Sequence, residues 1–288
     1  MSIFQVDFSK KNAQEKFINS IMTTGFAVIK NHNIDYKLIQ GVYKEWNDFF
    51  TSEYKHKYFR NKETQDGYFP ISTSETSTGY SAKDVYEFYH FLSWGQYPSE
   101  LSDNTKILKN HMLELANSLI IWLEDNLPDK VRLKLSEPLS KMIDGSQRSI
   151  LRIIHYPPIL NARENGTARF SPHTDFNLLT ILNSPSPGLQ VEDKYGNWLD
   201  LPHDLNLMIV NLGDMIQEAT GGFYKAAVHR VLNPVGLECS KSRLSIPLFV
   251  HPRPEVVLSN RYTAGEYFHE RLIQLGRLSK DDKYNIKN

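Results

Sequence analysis

The chain has 288 residues, 40% of them apolar and 23% charged, and its 33 basic and 33 acidic side chains leave no formal net charge. That length holds one or two domains with a full core, and the balanced charge gives no footing for nucleic acid or an anionic membrane. No apolar run approaches the roughly 18 residues of a membrane span. The opening residues show no basic-then-apolar leader, and a single cysteine, Cys239, rules out an intrachain disulfide and fits a reducing, cytoplasmic setting.

Residues 3–7 alternate as a short strand. Phe17, Ile18, Ile21 and Met22 recur at helical spacing and predict a helix over 12–22, stopped by Gly25. Phe26-Ala27-Val28-Ile29 reads as a strand and 30–33 as a turn, in which His32 has a structural hydrogen-bonding role. Leu38, Ile39, Val42, Trp46, Phe49 and Phe50 form the stripe of a second helix over 36–51. Residues 60–83 are polar, rich in Ser and Thr, and lack a lasting period. They read as a solvated loop of the kind that often closes over a pocket, with Tyr68, Phe69 and Tyr80 as its covering aromatics. Tyr86 to Phe91 is aromatic enough for a strand or packed segment, and His90 within it is a candidate substrate contact, with a half-buried structural histidine the favoured reading.

Residues 103–127 give the longest helical pattern, capped by Ser102 or Asp103 and closed by Pro128. Its stripe from Ile107 to Leu123 suits a helix that braces a barrel. A shorter helix over 130–143 is interrupted by Pro138. Strands are then predicted at 149–156, 176–183, 188–192, 197–200, 206–211, 214–218, 225–232 and 244–250. Short strands punctuated by Gly, Pro and Asn predict a jelly roll. Residues 263–277 read as a last helix, and the tail from Lys280 as frayed. Without an internal repeat or Pro-rich linker, the segments 1–100, 101–148, 149–255 and 256–288 are expected to fold as one unit.

The chemistry gathers on Ser171-Pro172-His173-Thr174-Asp175-Phe176. Strand residues two apart share a face, so His173 and Asp175 project together and Thr174 turns away. A second histidine, His229, lies 54 positions beyond Asp175. Two His and one carboxylate form the ligand set of non-haem Fe(II) oxygenases. Farther on, Arg243 and Ser245 open another apolar run and share a face. Arginine's planar fork suits a carboxylate.

In these blocks the chain resembles the 2-oxoglutarate- and Fe(II)-dependent dioxygenases of the isopenicillin-N-synthase-like group. The likeness extends to Thr24-Gly25-Phe26, to Leu151-Arg152-Ile153-Ile154-His155-Tyr156-Pro157, to Gly188-Leu189-Gln190-Val191, and to Val210-Asn211-Leu212-Gly213-Asp214, all in order. The resemblance implies an α+β fold: a double-stranded β-helix (jelly-roll, cupin-like) core braced by N-terminal helices and a C-terminal helix. It implies Fe(II) on His173, Asp175 and His229, with 2-oxoglutarate as cosubstrate and O2 as oxidant. Arg243, Ser245 and Tyr156 would hold the distal carboxylate of 2-oxoglutarate. The substrate would be a small molecule, carboxylate- or amino-acid-derived, that is hydroxylated, desaturated or cyclised. Arg152 would either hold a substrate carboxylate or pair with Glu192 or Asp214, and Tyr68, Phe176 and Gln217 are further candidate substrate contacts. Position 154, often Asn in this group, is Ile here.

Other readings stay open at this level. Some members of the group use the Arg-x-Ser pair for the substrate itself and consume no 2-oxoglutarate. The same three ligands also suit a zinc hydrolase, or a jelly-roll binding protein without catalysis.

Overall fold

The computed structural model describes residues 5–73, 85–159 and 169–279. Tyr80, the second half of the expected loop and the tail from Lys280 lie outside them.

The chain opens with β1 (Gln5–Asp7), α1 (Ala13–Thr24) and β2 (Phe26–Lys30). Gly25 ends α1 with φ at 73°, a left-handed value that only glycine adopts freely, and donates its N–H to Ile21. A methyl on Gly25 would sit 2.7 Å from Ala227 Cβ, so this turn also packs against the approach to His229. Next comes α2 (Tyr36–Thr51), whose first turn is capped by the Asp35 carboxylate accepting from Lys37 N–H at 2.9 Å. β3 (Gly67–Phe69) and β4 (Glu87–Phe91) follow, then α3 (Asn104–Asp125), α4 (Asp129–Arg132) and α5 (Leu139–Ile143). Pro138 separates the last two helices.

The remaining strands are β5 (Ile150–Tyr156), β6 (Phe170–His173), β7 (Leu179–Asn183), β8 (Leu189–Glu192), β9 (Trp198–Asp200), β10 (Met208–Leu212), β11 (His229–Val231) and β12 (Arg243–Val250). A short helix, α6 (Asp214–Ala219), lies between β10 and β11, and α7 (Ala264–Gln274) closes the described chain. A capping box of Thr263 and Glu266 starts α7.

The strands form an eight-stranded sheet, β1-β2-β10-β7-β12-β5-β4-β3, and a four-stranded sheet, β6-β11-β8-β9. This is the double-stranded β-helix expected of the sequence. The large sheet has two differently used faces. Leu151 and Ile153 of β5, Tyr89 of β4 and the even-numbered residues of β12 join one core with α2 and α3. Ile154, Tyr156, Phe88 and Phe69 point the other way, into a second core with Phe170, Val191 and Val231 of the small sheet. Strand periodicity therefore decides which residues can reach the interior.

Two expected elements differ. Residues 214–218 form α6, not a strand. Its first N–H groups meet the carbonyls of the returning chain, Asp214 to Asp175 at 2.7 Å and Met215 to Asn177 at 3.0 Å. The described part of the 60–83 loop is not simply solvated, because β3 pairs with β4 and buries Tyr68 and Phe69. His32 keeps its structural role, with Nε2 at 3.1 Å from Asn206 O and Nδ1 accepting from Ile34 N–H.

Candidate active site

Antiparallel pairing of β6 and β11 sets His229 opposite His173. The loop after β6 returns Asp175 to the same place. His173 Nε2 and His229 Nε2 lie 3.9 and 3.8 Å from Asp175 Oδ1, and the three ligand atoms fall within 4.8 Å of one another. His173 Nδ1 is 2.8 Å from Ser171 O, and His229 Nδ1 is 3.1 Å from Ala227 O. A carbonyl only accepts, so each Nδ1 carries the ring proton and each Nε2 turns a bare lone pair toward the carboxylate.

Asp175 is oriented as tightly. Its Oδ2 accepts from Thr180 Oγ1 at 2.6 Å and from Asn211 Nδ2 at 2.8 Å, which leaves Oδ1 to the histidines. Burial pushes the carboxyl upward. Electrostatic attraction toward the His229 and His173 imidazoles, with the Thr180 and Asn211 donors, outweighs burial and holds it below the ordinary range. Two lone pairs and a carboxylate facing each other fit a divalent cation, which places positive charge among them without a proton. Thr174 does not turn away: it lines the adjoining cavity and hydrogen-bonds Asp214. Asp175 lies past the last residue of β6, so strand alternation does not reach it.

A second polar site occupies the interior face of the large sheet. Arg243 pairs with Tyr156 across β12 and β5, and Ser245 with Ile154. The Arg243 guanidinium stands 4.8 Å from the Tyr156 ring centroid and donates Nη2–H to Ser184 Oγ at 2.8 Å. Its Nε and Nη1 are buried without a hydrogen-bond partner. Leaving a buried donor unpaired costs about 1–3 kcal/mol, more for a charged group. A carboxylate accepting from both would remove that cost, so the socket fits the distal end of 2-oxoglutarate. Ile154 is buried in the second core with Tyr156, so the Asn common at this position is replaced by a packing residue.

Beside the three ligands opens a cavity of about 220 Å³. Arg152, Phe176, His90 and, from α7, Phe268, Arg271 and Leu272 contribute to its wall, whereas Arg243, Ser245 and Tyr156 do not. Arg243 and Ser245 sit on the interior face of the large sheet, outside this wall. Arg152 donates Nε–H to His90 Nε2 at 2.8 Å and lies 4.8 Å from the ring centroids of both Phe88 and Phe249. The alternative pairing with Glu192 or Asp214 is not seen; Asp214 instead accepts from Tyr267 Oη at 3.0 Å.

Tyr68 and Gln217 do not line the cavity. Tyr68 lies one residue out of phase, on the helix-facing side of β3, and donates its hydroxyl to buried Glu87. Its neighbour Phe69 takes the interior face. Gln217 is on α6, where its side-chain oxygen accepts from Ala226 N–H at 3.0 Å and steadies the turn into His229. Sequence reasoning misses Thr180, Ser184 and the α7 residues. Asn211 stands within the family-like stretch Val210–Asp214, but nothing local marks it as a ligand's support.

The sequence profile of the 2OG-Fe(II) oxygenase superfamily matches residues 147–252. The N-terminal profile of non-haem dioxygenases in morphine synthesis matches residues 4–112. A Shewanella oneidensis protein whose crystal structure is described as that of an oxygenase is 43% identical, with a TM-score of 0.86 over 96% of this chain and 100% of its own. A Caulobacter crescentus protein described as one of the 2OG-Fe(II) oxygenase family is 25% identical, with a TM-score of 0.78 over 95% of this chain and 99% of its own. Gibberellin 2-beta-dioxygenase 1 of Arabidopsis thaliana is 27% identical over 86% of this chain and 77% of its own length.

Proposed function

This chain belongs to the 2OG-Fe(II) oxygenase superfamily, and on that premise we propose that it oxidises a small organic molecule while 2-oxoglutarate is converted to succinate and CO2. His173, Asp175 and His229 hold Fe(II), and Arg243 with Ser245 and Tyr156 holds the distal carboxylate of 2-oxoglutarate. Held there, iron and 2-oxoglutarate would supply the O2-activating chemistry, which in a hydroxylation would send one oxygen atom to succinate and the other to the substrate.

The chain's own contribution is orientation and exclusion of water. Ser171 and Ala227 carbonyls fix both imidazole tautomers, and Thr180 with Asn211 holds Asp175 to a single free oxygen. Phe170 stacks on His173 with ring centroids 4.0 Å apart, and Phe26 meets His229 edge-on at 5.7 Å, so apolar rings back the histidines. The outcome, whether hydroxylation, desaturation or ring closure, depends on what the cavity presents to the metal. No helix among the described residues is long and apolar enough to cross a membrane, and free Cys239 fits a cytoplasmic setting.

The convergence of two bare imidazole nitrogens on one carboxylate oxygen carries this reading. A stepwise test is anaerobic titration with Fe(II), then 2-oxoglutarate, followed by admission of O2 and a screen of small molecules for succinate release. Metal binding without 2-oxoglutarate binding would sink the cosubstrate assignment. It would favour a relative of the same fold that uses Arg243 for its substrate, or a zinc hydrolase.

A further inference from the structure

One histidine of the cavity wall has no part in holding metal or 2-oxoglutarate. His251 follows directly on β12, lines the cavity and is 4% exposed. Its Nδ1 lies 3.1 Å from Phe249 O. A carbonyl only accepts, so Nδ1 carries the ring proton and Nε2 is a bare acceptor. Burial, then the nearby Arg148 charge, lowers the imidazole from 6.5 to about 3 and keeps it neutral. Nε2 is buried without a hydrogen-bond partner. An acceptor closed off in this way costs free energy until a donor reaches it.

The ring stands in a cluster of wall residues. It meets Phe268 edge-on with centroids 5.1 Å apart, and Phe176 at 6.3 Å. Phe176 in turn lies 5.5 Å from Phe268 and 5.9 Å from the Arg271 guanidinium. Arg271 donates Nη1–H to Gln274 Oε1 at 2.7 Å, and its Nε is buried without a partner. The Arg271 charge acts on the Asp214 carboxyl, opposing the upward push of burial there. Arg271 therefore lacks an acceptor and not a counter-charge. One unpaired acceptor and one unpaired donor thus flank the same Phe176 ring. A carboxylate cannot donate to Nε2 and an ether cannot donate at all, whereas a hydroxyl donates its hydrogen and accepts on its oxygen. The rest of the wall offers apolar surface from Ile150, Phe170, Phe249 and Leu272. Its volume of about 220 Å³ exceeds the roughly 150 Å³ that holds a benzene ring.

We propose that the primary substrate is a neutral, ring-sized molecule bearing a hydroxyl group, which donates to His251 Nε2 and accepts from Arg271 Nε. Its apolar body lies against Phe176 and Phe268 beside the three metal ligands. His251 is the specificity-determining residue: it admits a hydroxyl and penalises an analogue that leaves its acceptor unpaired. This rests on the oxygenase reading above.

The test uses the full chain loaded anaerobically with Fe(II) and 2-oxoglutarate. Phenol, 1-naphthol and cyclohexanol are titrated calorimetrically, each beside its fluoro counterpart, which is close in size and unable to donate. The tightest hydroxyl compound is expected to exceed its counterpart by about tenfold or more, because the fluoro compound leaves both buried groups unpaired. His251→Phe keeps a ring against Phe176 and Phe268 but removes the acceptor. It should cut the preference to within about threefold and leave 2-oxoglutarate affinity within about threefold. His251→Gln should restore part of the preference, since its amide oxygen accepts; loss of packing alone does not predict that rescue. Arg271→Leu should lower the preference without abolishing it.

Fluoro compounds that bind as tightly as the hydroxyl compounds would overturn the proposal, as would a panel in which no hydroxyl compound binds. Tighter binding of benzoate than of phenol would overturn the choice of a neutral group. An unchanged preference in His251→Phe would take the hydroxyl away from His251. The wild-type comparison needs no variant, so it decides the matter even if His251→Phe fails to fold. Failure of wild type to take up Fe(II) or 2-oxoglutarate would instead strike the oxygenase reading, so the two failures are distinguishable.

Discussion

At the scale of single residues, the donor types of the site are legible in the sequence and their supports are not. His-x-Asp alone is a weak pattern, and buried His155 and Glu87 show an imidazole and a carboxylate paired at 2.7 Å with no ligand role; His173, Asp175 and His229 are legible because their blocks stand in order with Arg243-Leu244-Ser245 and the others. Each of His173→Ala, Asp175→Ala and His229→Ala is expected to abolish turnover with the fold retained, checked by Fe(II) titration beside circular dichroism. Near-normal affinity in any one of them would remove that residue from the ligand set. Thr180 and Asn211 are invisible because a threonine and an asparagine in strands look like any other polar pair. Both donate to Asp175 Oδ2, so Thr180→Val or Asn211→Leu should weaken metal binding by about 10–100-fold while leaving the ligands in place. Arg243→Leu removes the buried fork and should weaken 2-oxoglutarate binding by about 30-fold or more, with the metal still bound. An unchanged 2-oxoglutarate affinity would show that the socket serves another anion.

At the scale of elements, pattern succeeds where one period runs long and fails where elements are short. The helix over 36–51 is legible to the residue, because six apolar side chains repeat with one spacing. The six-residue α6 carries too few turns to show a helical period, and tertiary bonds to Asp175 and Asn177 decide its shape. Tyr68 and Phe69 are both aromatic, so sequence cannot choose between them; only the register with β4 tells which face each takes. The junction of β10 and α6 yields a further prediction. A methyl on Gly213 would overlap both Asn177 oxygens and come within 2.8 Å of Asp175 O. Gly213→Ala should therefore displace the Asp175 loop and weaken Fe(II) binding, measured by titration, although residue 213 touches no metal. Wild-type metal affinity in this variant would mean the loop relaxes without moving Asp175.

At the scale of the whole molecule, the sandwich buries imidazoles that serve no ligand role, and this couples stability to pH. His251 is 4% exposed and burial lowers it from 6.5 to about 3; His90 is lowered well below 6.5, also chiefly by burial. A group lowered in the folded state binds more protons when unfolded. Its stabilising contribution is complete above pH 6.5 and falls away as pH drops toward the folded value. Each such histidine costs about 1.4 kcal/mol per pH unit within that window. Denaturant titrations of the metal-free protein should show stability falling from pH 6.5 to pH 5, with a shallower slope in His251→Phe. A flat profile over that range would mean that both rings meet water in the folded state. The jelly roll itself is legible as a class, since punctuated short strands admit few alternatives. Its sheet order is not, because partners such as β2 and β10 are far apart in sequence.

The helix α7 begins at Ala264, beyond the last residue, 252, of the oxygenase profile, yet its Phe268, Arg271 and Leu272 form part of the cavity wall. Part of the wall around the cavity therefore lies on chain outside the stretch that carries the iron ligands, and the rest lies within it. Drift in α7 can reshape that wall without touching the iron ligands, so a duplicated copy has room to diverge in diet while keeping its trade. Transplanting residues 256–279 from another member of the superfamily is accordingly expected to shift which guests are turned over, read by product analysis, with Fe(II) affinity retained.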